Sequence, residues 1–90
     1  MKYVLFYEPG EDTGARTRRH FAEHSALWDS YSKAGTLLMI GPFTDGSGAM
    51  GVFTRRAAAE KFAAEDPFVA HGVVARWYVR EWKEAITAKS

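Results

Sequence analysis

His24 is the side chain best placed to do chemistry. On a helix it falls in the middle of an apolar stripe that also carries Phe21, Leu27, Trp28 and Tyr31, with Thr17 and His20 alongside. An imidazole shielded on several sides can move a proton if a partner holds its other nitrogen. Asp66 is the second such residue. It ends an alanine-rich segment and stands directly before Pro67. An acid at a helix C-terminus opposes the macrodipole by about 0.3–1 kcal/mol and so needs a cationic or hydrogen-bonding partner. A histidine on a neighbouring helix would serve.

Each residue also has a plainer reading. His24 fits a core histidine satisfied by a backbone carbonyl. Asp66 fits a turn former ahead of a proline. His20 and His24 are four apart, a spacing at which a divalent metal could take both imidazoles with Asp66 or His71. The glutamate of a zinc-protease helix is missing from its place, and we assign no metal. The glycines 41, 46, 48 and 51 match neither nucleotide-binding pattern and read as turn chemistry. Ser25 and Ser47 lack the context of a nucleophile. Arg76 and Arg80 share a strand face with Tyr78 and read as partners for acids at an interface.

The elements that must position these residues follow from local pattern. Tyr3 to Tyr7 reads as a strand and Glu8 to Gly14 as a turn. Helical period runs from Arg16 to Ala34, and Gly35 stops it in the left-handed conformation. Thr36 to Ile40 is a nearly continuous apolar run, as expected of a strand buried on both faces. Gly41-Pro42-Phe43 ends it, and Thr44 to Gly48 is a hairpin turn. Ala49 to Phe53 returns, with Gly51 marking a bulge or a close approach to the backbone. Thr54 is the expected N-cap of a second helix from Arg55 to Glu65. Asp66-Pro67 closes that helix, and Val73 to Trp82 is the last strand. The tail from Lys83 to Ser90 is polar.

The order β-α-β-β-α-β predicts an α+β, ferredoxin-like fold: a four-stranded antiparallel sheet with two helices on one face. Two helices leave the other face bare while apolar residues occur on both, so a second copy of the chain is the expected cover.

Ninety residues predict a single domain. The apolar fraction of 47% fits a folded chain. Three Trp, four Tyr and six Phe exceed what so small a core hides easily, which points to an interface or a pocket. A net charge of +1, with no basic tract beyond Arg16-Thr17-Arg18-Arg19, argues against nucleic acid as a partner. Absence of cysteine excludes disulfides, thiolate metal sites and cysteine nucleophiles and fits a reducing compartment. No apolar run is long enough to span a bilayer, and the expectation is a cytoplasmic protein that does not bind membranes.

His24, the helix to Ala34-Gly35, Leu37-Leu38 through Gly41-Pro42-Phe43, the alanine-rich helix ending in Asp66-Pro67-Phe68-Val69, and Gly72 together resemble the YCII-related family. The resemblance covers nearly the whole chain. It implies a ferredoxin-like dimeric α/β barrel with an active site built from one His and one Asp, carried here by His24 and Asp66. Many members have an arginine shortly before that histidine; here Phe21 stands nearby, and Arg18 and Arg19 lie farther back. Some members resemble lyases or dehydrochlorinases acting on ring compounds.

The resulting expectation is a homodimeric enzyme without a cofactor. His24 would be the general acid or base on a small-molecule ligand, Asp66 its orienting partner, and Phe6, Tyr7, Trp28 and Phe68 the lining of the pocket. Candidate reactions are elimination, including dehydrochlorination, isomerisation and other lyase chemistry. A non-catalytic ligand-binding or accessory module using the same pocket is the alternative. A cofactor-independent monooxygenase of the kind found on related barrels is a third.

Overall fold

The computed structural model describes residues 1–88. It runs β1 (Lys2–Pro9), α1 (Gly14–Lys33), β2 (Leu37–Pro42), β3 (Ala49–Phe53), α2 (Arg56–Glu65), α3 (Pro67–Ala70) and β4 (Val74–Trp82). The strands form one antiparallel sheet in the order β2-β3-β1-β4. This is the expected ferredoxin-like arrangement. The last two residues of the polar tail lie outside the described residues.

Register decides which side chains meet the helices. Leu5 of β1 pairs with Gly51 of β3 and Val79 of β4, and Tyr7 pairs with Ala49 and Trp77. With Leu37 and Phe53 these residues face α1 and α2, whose Ala59, Phe62 and Ala63 complete the buried core. Phe6, Val4, Met50 and Val52 fall on the opposite parity and face away from the helices. There Phe6 stacks on Tyr78, with ring centroids 5.3 Å apart.

α1 ends as predicted. Gly35 takes φ +80°, its N–H donates to the Ser32 carbonyl, and that of Thr36 donates to the Tyr31 carbonyl. This pair of bonds is a Schellman closure, which glycine makes without a Cβ penalty.

Four local expectations are corrected. β2 is not buried on both faces: Leu37 is 4% exposed, whereas Leu38 and Met39 are 45% and 65% exposed. It is an edge strand covered on one side, and its register slips between Leu37 and Met39. Thr54 does not cap α2. Its N–H donates to the Thr36 carbonyl, Arg55 is the boundary residue, and no side chain caps the helix. Asp66 does more than end α2: it also begins α3, a one-turn helix with Pro67 at its first position. The macrodipole conflict read from α2 alone is therefore met, because the same carboxylate sits at the favourable end of the next helix. Gly51 marks no bulge; the sheet irregularities fall elsewhere.

Candidate active site

Asp66 is 1% exposed and accepts three hydrogen bonds. His24 Nδ1 lies 2.8 Å from Oδ1 and 3.0 Å from Oδ2. Tyr7 Oη–H donates to Oδ2 at 2.6 Å, and the Phe68 N–H donates to Oδ1 at 3.0 Å. Three elements thus converge on one carboxylate: α1 through His24, β1 through Tyr7, and α3 through its own first turn. A carboxylate carries only acceptors, so His24 is assigned the tautomer with hydrogen on Nδ1. Its Nε2 then carries the lone pair. Nε2 makes no hydrogen bond among the described residues, and His24 lines a cavity.

Tyr7 holds its proton firmly. Burial first, then the charge of Asp66 and the hydrogen bond to it, push the phenol well above its usual range. A group whose proton is held more tightly in the folded state stabilises the fold fully below the unfolded pKa, about 10 for tyrosine, and loses that contribution as pH rises past it. The chain should therefore lose stability above about pH 10, where unfolded tyrosine ionises. Tyr7→Phe should flatten that decline. Part of it should persist, because burial and the 2.6 Å bond to Glu65 raise Tyr31 as well. Urea unfolding across alkaline pH measures both slopes; an unchanged slope in Tyr7→Phe would contradict the assignment.

The cavity holds about 400 Å³ between α1 and the sheet. Phe21, Trp28 and Phe68 form its aromatic walls around His24. The His24 ring stacks on Phe68 at 3.9 Å and 11° and meets Trp28 edge-on at 5.0 Å. Thr17, one and a fraction turns before Phe21 on α1, supplies a hydroxyl. The hollow exists because β3 turns Ala49 and Gly51 toward the helices, where larger residues would fill it. A Cβ on Gly51 would already stand 3.2 Å from the Phe53 ring and 3.3 Å from Ile40.

Tyr7, Trp28 and Phe68, expected to line the pocket, do so together with His24. Phe6 does not. It lies on the opposite sheet face, because neighbouring strand residues point to opposite sides and Leu5 and Tyr7 take the inner one. The same parity was the available signal for the role of Tyr7 at Asp66, which sequence reasoning did not draw. The Phe68 amide was missed with α3 itself.

The metal alternative is not assembled. His20 stacks face to face on His71, with centroids 3.9 Å apart and planes at 4°, so their lone pairs run side by side instead of converging. His24 commits Nδ1 to Asp66. Among the described residues no group of three or more His, Cys, Asp or Glu is arranged to hold a metal ion. Arg76 pairs with Glu8 at 3.3 Å across the β4–β1 ladder, away from the cavity. No helix among the described residues is long and apolar enough to cross a membrane.

A solved structure with the same fold is the 5-chloro-2-hydroxyhydroquinone dehydrochlorinase from Burkholderia phenoliruptrix, in complex with 2,5-dihydroxybenzoquinone. It aligns with a TM-score of 0.79 at 18% identity, over 94% of this chain and 96% of that one. No curated protein matches the chain. The family model of the YCII-related domain matches residues 1–83, so with its ferredoxin-like sheet and buried His–Asp pair the chain belongs to the YCII-related domain family.

Proposed function

We propose that the protein is a cofactor-independent acid–base enzyme acting on a small ring compound, with His24 as the catalytic residue. The observation that carries this reading is the free Nε2 of His24 at the wall of an apolar cavity, while Nδ1 is fixed by a buried carboxylate. Nε2 takes a proton from the bound ring. The proton comes from a ring hydroxyl, the imidazolium so formed is stabilised by Asp66, and the electron pair left on oxygen moves into the ring as a C=O forms. It either expels a leaving group from an sp3 carbon of the ring's keto tautomer, giving a quinone, or takes up a proton at a ring carbon. The first course is elimination, with chloride as one leaving group; the second is isomerisation. The structural neighbour is named for a dehydrochlorination, which is one instance of the first. Asp66 does not take the proton. It orients the imidazole, and Tyr7 and the Phe68 N–H hold the carboxylate in place.

The test is turnover of 5-chloro-2-hydroxyhydroquinone and other halogenated hydroquinones, followed as chloride release, by the native chain and by His24→Asn. Release that depends on His24 supports the reading. Equal release by both proteins overturns it.

The working unit in this reading is a homodimer formed through the bare sheet face. That face carries Phe6, Met50 and Tyr78, together with Trp82, which is 51% exposed, and it holds a shallow hollow between Val4 and Trp82. A second copy offers the same apolar surface and matches it by two-fold symmetry. Light scattering should give twice the chain mass of 10.1 kDa. The single-chain mass would rule this dimer out, and Trp82→Lys should weaken association.

A further inference from the structure

We propose that the cavity selects uncharged aromatic rings, with the Asp66 carboxylate repelling anions and Phe21 as the specificity-determining residue at its mouth. This deepens the reading above and rests on its premise that a small molecule sits beside His24.

The residues around the cavity include neither lysine nor arginine, and neither aspartate nor glutamate. Its side-chain polar groups are His24, Tyr7, Thr17 and the indole N–H of Trp28. Tyr7 is already spent on Asp66. Behind His24 stands the Asp66 carboxylate, buried to 1% and held by a phenol, a backbone amide and an imidazole N–H. No arginine or lysine hydrogen-bonds or ion-pairs with it among the described residues. An anionic ligand entering here gives up its hydration, finds no cation, and meets a negative field through a thin wall. A neutral ring gives up little and gains three aromatic walls.

Those walls also set the shape. Phe68 stacks on the His24 ring, Trp28 meets it edge-on, and Phe21 stands edge-on to Trp28 at 5.6 Å. A planar ring lying among them makes the offset and edge contacts that aromatic groups favour. A ring hydroxyl is the group that can donate to Nε2, and Thr17 offers a second polar point farther along α1. The expected ligand is thus a neutral phenol or a similar ring with a dissociable proton. Phe21 is 48% exposed, large and apolar at the opening. Its exposure has no packing reason in the core, but it extends the apolar wall to the entrance and keeps a compensating charge from standing there.

The proton step conserves this balance. Transfer from a neutral ring to Nε2 makes an anion and an imidazolium together, so charge separates inside the site without an anion having to enter it.

The test separates charge from shape with two nearly isosteric probes, benzamide and benzoate, and adds phenol as a neutral donor. Binding is read from the Trp28 indole N–H signal by NMR titration at about pH 8. Benzamide should bind at least about ten-fold more tightly than benzoate, the order expected of one unit charge a few Å behind the wall. Phenol should shift the same signal. Phe21→Lys should narrow the benzamide-to-benzoate ratio by about five- to ten-fold, since it places a cation at the mouth. Phe21→Leu should weaken both probes and leave the ratio unchanged. Benzoate binding as well as benzamide, or no Trp28 shift with any probe, would overturn the inference. The measurement does not depend on turnover. If the neutral preference holds in both native and His24→Asn proteins while chloride release is absent, the selectivity stands and the catalytic reading falls.

Discussion

His24→Asn should yield a folded protein whose turnover is lower by roughly 10²–10⁴-fold, the usual contribution of a positioned acid or base. The geometry explains why asparagine is the informative replacement. Its side-chain amide nitrogen stands close to where Nδ1 stands, so the donor to Asp66 survives. What disappears is Nε2. The cost to the fold is the ring stack on Phe68 and the edge contact with Trp28, together about 1–3 kcal/mol. Set against a typical stability of about 5–15 kcal/mol, that loss leaves the chain folded. The chemical loss should be larger. Thermal unfolding beside a turnover assay checks both numbers, and nitrogen NMR of the native protein should find hydrogen on Nδ1 and a free lone pair on Nε2. A fall in stability of several kcal/mol with turnover intact would make His24 a packing residue instead.

Asp66→Ala should have the opposite profile, in which the fold suffers first. The change leaves three buried donors without an acceptor: Tyr7 Oη–H, the Phe68 N–H and His24 Nδ1–H. Each stranded donor costs about 1–3 kcal/mol, but the three share one carboxylate and do not add. A loss of about 3–5 kcal/mol is expected, as for removing one member of a buried charged network. In a domain of this size that corresponds to a fall in Tm of roughly 15–30 °C. Asp66→Asn should lose less, because one acceptor oxygen remains. Its amide N–H₂ would instead donate to Nδ1 and move the imidazole hydrogen to Nε2, which abolishes the base while sparing more of the fold. Urea unfolding of both variants decides; a loss under about 1 kcal/mol for Asp66→Ala would mean that water or a rearrangement replaces the carboxylate.

The parts of this architecture that could be read from the residues are those governed by neighbours in the chain. The stripe around His24 follows from helical period, and Gly35 stops α1 because few other residues take a left-handed φ at so little cost. The proline after Asp66 marks the end of α2 whatever lies beyond it. The parts that escaped depend on what a segment packs against. The apolar run of β2 looked like a central strand, but its place at the sheet edge is set by the crossover of α1. Phe6 looked as suitable for a pocket as Tyr7, and only the orientation of the sheet toward its helices separates them. Thr54 has the chemistry of a cap but is drawn into a bond with Thr36 across the sheet edge. α3 is a single turn, too short for any periodic signal, and yet it supplies both Phe68 and the amide that anchors Asp66.

The double duty of Asp66, ending one helix and opening the next while holding His24, ties its persistence to folding. In a lineage released from selection for catalysis, the carboxylate would be retained, since its loss would cost the fold several kcal/mol. The imidazole would be free to drift toward asparagine or glutamine. Across descendants of such a protein, therefore, an acid at this corner records inheritance of the scaffold, and a histidine opposite it records continued use.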